Sequence, residues 1–310
     1  MSKKVKKVCV AGTGTLALKC AVYAKEKGMP VILYDMGQKQ SALLERQAKA
    51  AGVPYFYEMP GEVFESLQKE EQPLLLISAI NERIIPGGVL KKKNIRAVNL
   101  HQALLPAHPG RNAEAWAIFE QDEKTGITWH DMVEQVDGGG ILVQKEIRLD
   151  ESITAWQLFK KQIECAYEAY TEIFDSLIEG SITAVPQKDT GNRKFHYKKD
   201  VPGNGMLDMN WSGEKISAFL RAMDYASLSV FENPRLFYEG RTYQWKQYEI
   251  QHEADRESCP EAKDEMISIA RDEIIIKKDN HCIILKNYEI VEEKDDGKID
   301  EHFKGIKAGS

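Results

Sequence analysis

Cysteine is scarce and unpatterned in this chain of 310 residues: there are five (Cys9, Cys20, Cys165, Cys259 and Cys282), an odd number with no C-x-x-C pair. That argues against a disulfide framework and a zinc knuckle, and fits a reducing compartment. Positive charge is not in excess either. Forty-two basic residues face 48 acidic ones, so the formal net charge is -6 and no global field draws the chain to nucleic acid. No apolar run approaches a membrane span. The short apolar stretch after the basic Met1–Lys7 leads into a glycine turn, unlike a signal peptide. The expectation is a soluble, cytoplasmic protein without membrane attachment, with self-association left open. What is present is 43% hydrophobic residues, enough for a sizeable core, over a length that suits one large and one smaller domain.

The first third alternates apolar runs with amphipathic stretches, the pattern of a parallel sheet with helices on both faces. Strands are expected at Val8–Ala11, Val31–Tyr34, Leu74–Ser78 and Val98–His101, with helices over Leu16–Glu26 and Ser41–Ala51. The fold class expected is therefore α/β, a doubly wound, mostly parallel sheet. From Ser152 to Gly180 the apolar residues Trp156, Phe159, Ile163, Tyr167, Tyr170, Phe174 and Leu177 recur every three or four positions, as in one long helix, capped by Ser152 and ended by Gly180. Composition then changes. Gly191, Asn192, Pro202, Gly203, Asn204 and Gly205 surround a basic cluster of Arg193, Lys194, Lys198 and Lys199, as in a connecting segment. A helix over Glu214–Met223, with Ser212 as its cap, precedes short strands at Leu236–Tyr238, Thr242–Ile250, Ile267–Ala270, Glu273–Ile276 and Cys282–Leu285, which suggest a small β-barrel-like domain. The expected organisation is a catalytic domain over residues 1–190, a linker over 191–210 and a small domain over 211–310, with a charged, solvated tail around Glu292–Asp296.

Val8 to Ala17 reads V-C-V-A-G-T-G-T-L-A, and Asp35 ends the next strand. Taken alone, Gly12, Gly14 and Asp35 suggest a nicotinamide dinucleotide site and an oxidoreductase. The competing reading is structural: any tight strand-to-helix turn in such a sheet wants glycine. On that reading Gly12 and Gly14 are turn residues or part of a pocket wall.

A second constellation starts at Val98, V-N-L-H-Q-A-L-L-P-A-H-P-G-R, and continues through T-G-I-T-W-H to V-D-G-G-G-I-L. Asn99 and His101 lie two apart near a strand end, so both side chains leave the same face of the sheet, at the end where open parallel sheets bind ligands. An imidazole that titrates near neutrality, an uncharged amide donor and a carboxylate that favours imidazolium make a proton-transfer set.

These motifs, in this order, resemble the folate-dependent formyltransferase family, whose pattern is N-x-H-x-S-L-L-P, then G-R, T-G-x-T and D-x-G-D-I. A weaker likeness covers the long helix, Gln187, and W-S-G-E-K-I-S-A-F-L-R-A-M from Trp211. The resemblance implies transfer of a formyl group from 10-formyl-tetrahydrofolate to an amine; the residues themselves suggest no metal site. By it His101 is the general base, Asn99 the oxyanion donor, and Asp137 the group that orients His101 and stabilises its protonated form. Ala103, Leu104, Leu105 and Pro106 are expected to line the folate pocket, with Ile84, Ile85 and Pro86 as its other wall and main-chain groups of Val136, Gly138 and Gly139 at the pterin edge. Gly12, Gly14, His108 and Arg111 are candidates for the acceptor side.

Two departures stand out. Ala103 replaces the family's usual serine and Gly140 its second aspartate. Neither removes a proposed catalytic group, and both point to a pocket rim altered for a different acceptor or to a looser loop. The chain lacks the long basic insertion after Asp35 that methionyl-tRNA formyltransferases use, which argues against initiator tRNA. A small-molecule amine (an amino sugar or amino acid) or a carrier-bound aminoacyl group is expected instead. The alternatives are a 10-formyl-tetrahydrofolate hydrolase and the oxidoreductase suggested by the glycine turn. His130, His196 and His281 are isolated from other ligand types in the sequence.

Overall fold

The computed structural model describes residues 4–188, 193–252 and 266–291. Gly191, Asn192, Cys259 and the stretch Glu292–Asp296 lie outside them. The chain forms two compact units, one of Met1–Pro202 with Arg221–Val230, the other of Gly203–Leu220 with Phe231–Ser310.

The first unit is built on β1 (Lys7–Gly12), α1 (Gly14–Glu26), β2 (Val31–Asp35), α2 (Ala42–Ala50), β3 (Tyr55–Phe56), α3 (Pro60–Lys69), β4 (Leu74–Ala79), α4 (Gly87–Leu90), β5 (Ile95–His101), α5 (Ala113–Phe119), β6 (Lys124–Asp131), β7 (Ile141–Arg148) and α6 (Ala155–Glu179). Its seven strands run in the order β3-β2-β1-β4-β5-β6-β7. The first five are parallel, while β6 and β7 are antiparallel additions. Alternation along the strands feeds two cores. Val8, Val10, Leu75, Ile77, Val98 and Leu100 pack beneath α1, α2 and α6, while Cys9, Ala11, Leu74, Leu76, Ile95 and Ala97 pack beneath α3 and α4. This is the doubly wound arrangement that the apolar runs led us to expect, because strands covered on both faces need apolar residues at every position.

The long helix α6 does not start at Ser152. Ser152 turns back on Asp150, its N–H and hydroxyl both donating to Asp150 Oδ1 at 3.0 and 2.7 Å. Thr154 caps instead: its Oγ1 accepts from Gln157 N at 3.3 Å while Gln157 Oε1 accepts from Thr154 N at 3.0 Å, a reciprocal box stronger than a single serine cap. Gly180 closes the helix with φ of 71°, as expected.

In the second unit β8 (Met206–Leu207), β9 (Arg235–Tyr238), β10 (Arg241–Gln244) and β15 (Glu289–Val291) form one four-stranded sheet, and β11 (Gln247–His252), β12 (Met266–Ile269), β13 (Glu273–Lys278) and β14 (His281–Lys286) form another. The expected single strand over Thr242–Ile250 is therefore two. The chain leaves its pairing with β9 and β15 at Gln244 and joins β14 from Gln247. The helix α7 (Gly213–Met223) straddles the division between the units, and Ser212 Oγ accepts from Lys215 N at its start, the cap that was expected. Cys9, Cys20 and Cys165 are free thiols. No helix among the described residues is long and apolar enough to cross a membrane.

The glycine turn has a packing cause. A Cβ on Gly12 would lie 1.8 Å from the Ala79 carbonyl oxygen of the neighbouring β4, whereas Gly14 has open space but φ of 69°. Gly12→Ala is expected to cost roughly 1–3 kcal/mol or more through forced strand separation, and Gly14→Ala about 1 kcal/mol through backbone strain alone. Urea unfolding of the two variants measures this, and equal small losses would contradict it.

Candidate active site

Two residues apart on β5, Asn99 and His101 share the face of the sheet that parity dictates, at the strand's C-terminal end. The antiparallel β6 brings a third side chain to them. Asn99 is paired with His130 across the ladder, and His101 with Thr128. Directly opposed residues have adjacent side chains, so Asn99 Nδ2 and His130 Nε2 meet at 3.2 Å. His130 Nδ1 lies 2.9 Å from the Asp131 carbonyl oxygen and so carries the ring proton, which leaves Nε2 to accept from the Asn99 amide.

Asp137 completes the group from the loop after β6. Its backbone is left-handed, φ 52°, and its carboxylate is 7% exposed. Oδ2 accepts from Gly110 N at 2.8 Å and lies 3.5 Å from His101 Nδ1, while Oδ1 lies 3.5 Å from His130 Nε2. The loop is held by Gln187, whose Nε2 donates to the carbonyls of Asp137 and Gly139, both at 2.7 Å, and by Arg193, which donates to the Val136 carbonyl at 3.0 Å. Burial alone would raise the Asp137 carboxyl; the charges and hydrogen bonds of His101, His130 and Gly110 outweigh it and hold it at about 2.

His101 is 6% exposed, and its Nε2–H donates to the His108 carbonyl at 2.8 Å. The neutral ring therefore presents its lone pair at Nδ1, on the Asp137 side. Burial lowers its pKa below 6.5, with Asp137 opposing that shift. At neutral pH the pair is a neutral imidazole beside an ionised carboxylate, the protonation state a general base requires.

Asn99, His101, His130 and Asp137 open onto a cleft of about 860 Å³. Of the residues expected on the sequence, Ile84, Ile85, Val136 and Arg111 line it, together with Leu90, Met132 and Val133. Pro86, Gly138, Gly139, Gly12, Gly14 and His108 are not among its lining residues, nor are Ala103, Leu104, Leu105 and Pro106. Ala103 and Leu105 are buried, and their segment is tied down by Thr128, whose Oγ1 donates to Ala103 O at 2.6 Å and accepts from Leu105 N at 3.1 Å. Arg111 is paired with Glu82, donating to its carbonyl at 3.0 Å with the carboxylate at 3.4 Å.

Three participants were missed by sequence reasoning. His130 is not isolated but the ladder partner of Asn99. His196 is not isolated either: its Nε2 is 3.2 Å from His108 Nδ1 and its ring stacks on Trp116 at 4.2 Å. Glu114, in the first turn of α5, lines the cleft as a buried carboxyl raised by burial and accepts from Tyr225 Oη at 2.6 Å. His130 had a signal, since Thr128 and His130 alternate in T-G-I-T-W-H, but its use depends on a strand register that spacing alone does not supply.

The acid at the end of β2 serves the fold. Asp35 is 1% exposed, and its carboxylate already accepts from Gly37 N at 3.0 Å, Ser41 N at 3.2 Å and Tyr55 Oη at 2.7 Å. A ribose hydroxyl would have to displace those donors. Among the described residues, no cluster of three or more His, Cys, Asp or Glu side chains is placed to hold a metal ion.

Residues 22–174 match the formyl transferase family. GDP-perosamine N-formyltransferase of Brucella melitensis is 36% identical over 151 residues, 49% of this chain and 57% of that protein. Methionyl-tRNA formyltransferase of Ligilactobacillus salivarius is 28% identical over 174 residues, 56% of this chain and 53% of its own length. The chain thus matches little more than half the length of these curated relatives. In fold it is similar to WlaRD, a sugar 3N-formyl transferase solved in the presence of dTDP and 5-N-formyl-THF, with TM-score 0.68, 15% identity, and 92% of this chain and 98% of that one covered. It is also similar to the N-formyltransferase of Helicobacter canadensis in complex with folinic acid and dTDP-3-aminofucose, with TM-score 0.70, 15% identity and coverage of 91% and 99%. The matched residues 22–174 carry the Asn99, His101 and Asp137 constellation, so the cleft lies within the segment that resembles the formyl transferase family.

Proposed function

We propose that the chain transfers a formyl group from 10-formyl-tetrahydrofolate to the primary amine of a nucleotide-linked amino sugar. The observation that carries the reading is the convergence of Asn99, His101 and Asp137 at one cleft within the segment that resembles the formyl transferase family. The donor supplies the electrophile, a formyl carbon on a departing nitrogen. Asn99 has a second amide proton beyond the one given to His130, and donates it to the formyl oxygen as negative charge develops there. His101 takes a proton from the attacking amine at Nδ1, where Asp137 lies 3.5 Å away to stabilise the resulting imidazolium, and returns it toward the leaving nitrogen. A new amide C–N bond forms, the donor's C–N bond breaks, and the amine's proton ends on the folate.

The cleft fits such a donor on its own side chains: Ile84, Ile85, Leu90, Met132 and Val133 offer apolar surface to a flat heterocycle, beside the polar trio. An amino sugar is favoured as acceptor by the likeness to GDP-perosamine N-formyltransferase and to the two sugar enzymes. The test is incubation with 10-formyl-tetrahydrofolate and a panel of nucleotide-linked amino sugars, amino acids and carrier-bound aminoacyl groups, with tetrahydrofolate release and product mass both followed. Amine-dependent release with a formylated product supports the reading, and release independent of any amine overturns it in favour of hydrolysis.

Removal of the base, His101→Ala, is expected to cost about 10²-fold or more in kcat. Because the base must be neutral and its pKa lies below 6.5, kcat/KM, once corrected for the fraction of acceptor amine that is unprotonated, should be flat above pH 6.5 and fall with acid below it. An acid limb centred above that value would contradict the assignment.

Asp137, His130 and His108 are the titratable groups facing His101, and of these Asp137 holds its pKa up. Asp137→Asn should therefore lower the rate and move the His101 titration to still lower pH. Following the His101 ring proton by NMR measures this, and an upward shift would contradict it.

A further inference from the structure

We propose that His196 is a positioning residue for the catalytic pair, acting on both members through the loop of residues 108–111. This loop gives one main-chain contact to each: the His108 carbonyl accepts from His101 Nε2 and the Gly110 N–H donates to Asp137 Oδ2, both at 2.8 Å. It does so in a conformation that does not hold itself. His108 is left-handed with φ 46° and Gly110 has φ 103°, and left-handed backbone at a residue with a side chain persists only where its surroundings impose it.

His196 supplies that surrounding with its backbone and its ring together. Its N–H donates to the Pro109 carbonyl and its carbonyl accepts from Arg111 N, both at 2.9 Å, so the two segments form a short parallel bridge around Gly110. The approach leaves no room for a side chain, since a Cβ on Gly110 would sit 2.1 Å from His196 O. The ring reaches the same loop from above. His108 Nε2 lies 2.8 Å from Asp122 Oδ2 and so carries the His108 proton; His108 Nδ1 must then accept, and the donor is His196 Nε2–H at 3.2 Å. In that arrangement one proton lies between Asp122 and His108 and one between His108 and His196. Burial, then the neighbouring His108, lowers the His196 pKa to about 4, which keeps it in the neutral form. Stacking on Trp116 at 4.2 Å with an interplanar angle of 11° fixes the plane of the ring.

The consequence is a fixed tautomer at His101, with the proton on Nε2 and the lone pair on Nδ1 facing Asp137. The catalytic part of the inference rests on the formyl-transfer reading; the tautomer does not. The experiment uses the full chain labelled with 15N-histidine, with His101 resonances assigned by the His101→Ala spectrum, and compares wild type, His196→Phe and His196→Gln. Phenylalanine keeps the stack but not the N–H, whereas glutamine keeps an N–H. His196→Phe is expected to lose the single Nε2–H tautomer of His101 and about tenfold or more in kcat, with donor KM changed far less. His196→Gln should recover most of both. Wild-type tautomer and kcat in His196→Phe would overturn the inference, as would an Nδ1–H tautomer in the wild type. If His196→Phe does not fold by circular dichroism, Asp122→Ala frees the His108 proton from the other side and should give the same tautomer loss; an unchanged tautomer there overturns the inference. Should the wild type transfer no formyl group while the tautomer still depends on His196, the functional reading fails and the positioning role stands.

Discussion

A carboxylate can be buried only where donors meet it, and satisfying Asp137 accounts for much of the site's construction. One donor is main-chain, the Gly110 N–H. The rings of His101 and His130, set by neighbouring strands that run in opposite directions, each lie 3.5 Å from one of its oxygens. A loop able to present its carboxylate to all three needs the left-handed turn at Asp137 and the Gln187 and Arg193 contacts that hold its carbonyls. The segment after α6 therefore belongs to the construction of the site as much as the sheet does. Gln187, Arg193 and His196 each bind a carbonyl or an N–H of the loops that carry Asp137 or contact His101.

How much of this could be read in advance depended on the range of the interaction. Asn99 and His101 were legible because a two-residue spacing puts both on one face whatever the rest of the sheet does. The parallel strands β1, β2, β4 and β5 were legible because their buried runs are nearly all apolar. His130 was not, since its role rests on the register of β6 against β5. His196 was hidden further still. It sits 88 residues from His108 in a basic, glycine-rich stretch whose composition reads as a connector. The break between β10 and β11 shows the same limit, because nothing local marks where a strand changes sheets.

The glycine turn shows why a motif needs its context. Gly12 answers to a carbonyl on the adjacent strand, and Asp35 spends its carboxylate on two backbone amides and a tyrosine. Each residue that fits a dinucleotide pattern thus has a structural duty. The N-x-H pair, by contrast, borders a cleft, and its imidazole and amide are more than the fold itself requires. The same logic separates Ala103 and Leu105, which are packed inside and tied to Thr128, from Ile84 and Ile85, which border the cleft.

The central claim is that this cleft takes a formyl-folate. Isothermal titration with 5-formyl-tetrahydrofolate, a stable stand-in for the donor, alongside NADH and NADPH, addresses it most directly. The account predicts saturable binding of the folate at one site per chain, abolished by excess tetrahydrofolate, and no dinucleotide binding. Saturable NADH or NADPH binding with no folate binding would contradict it and return the glycine turn to the centre of the function.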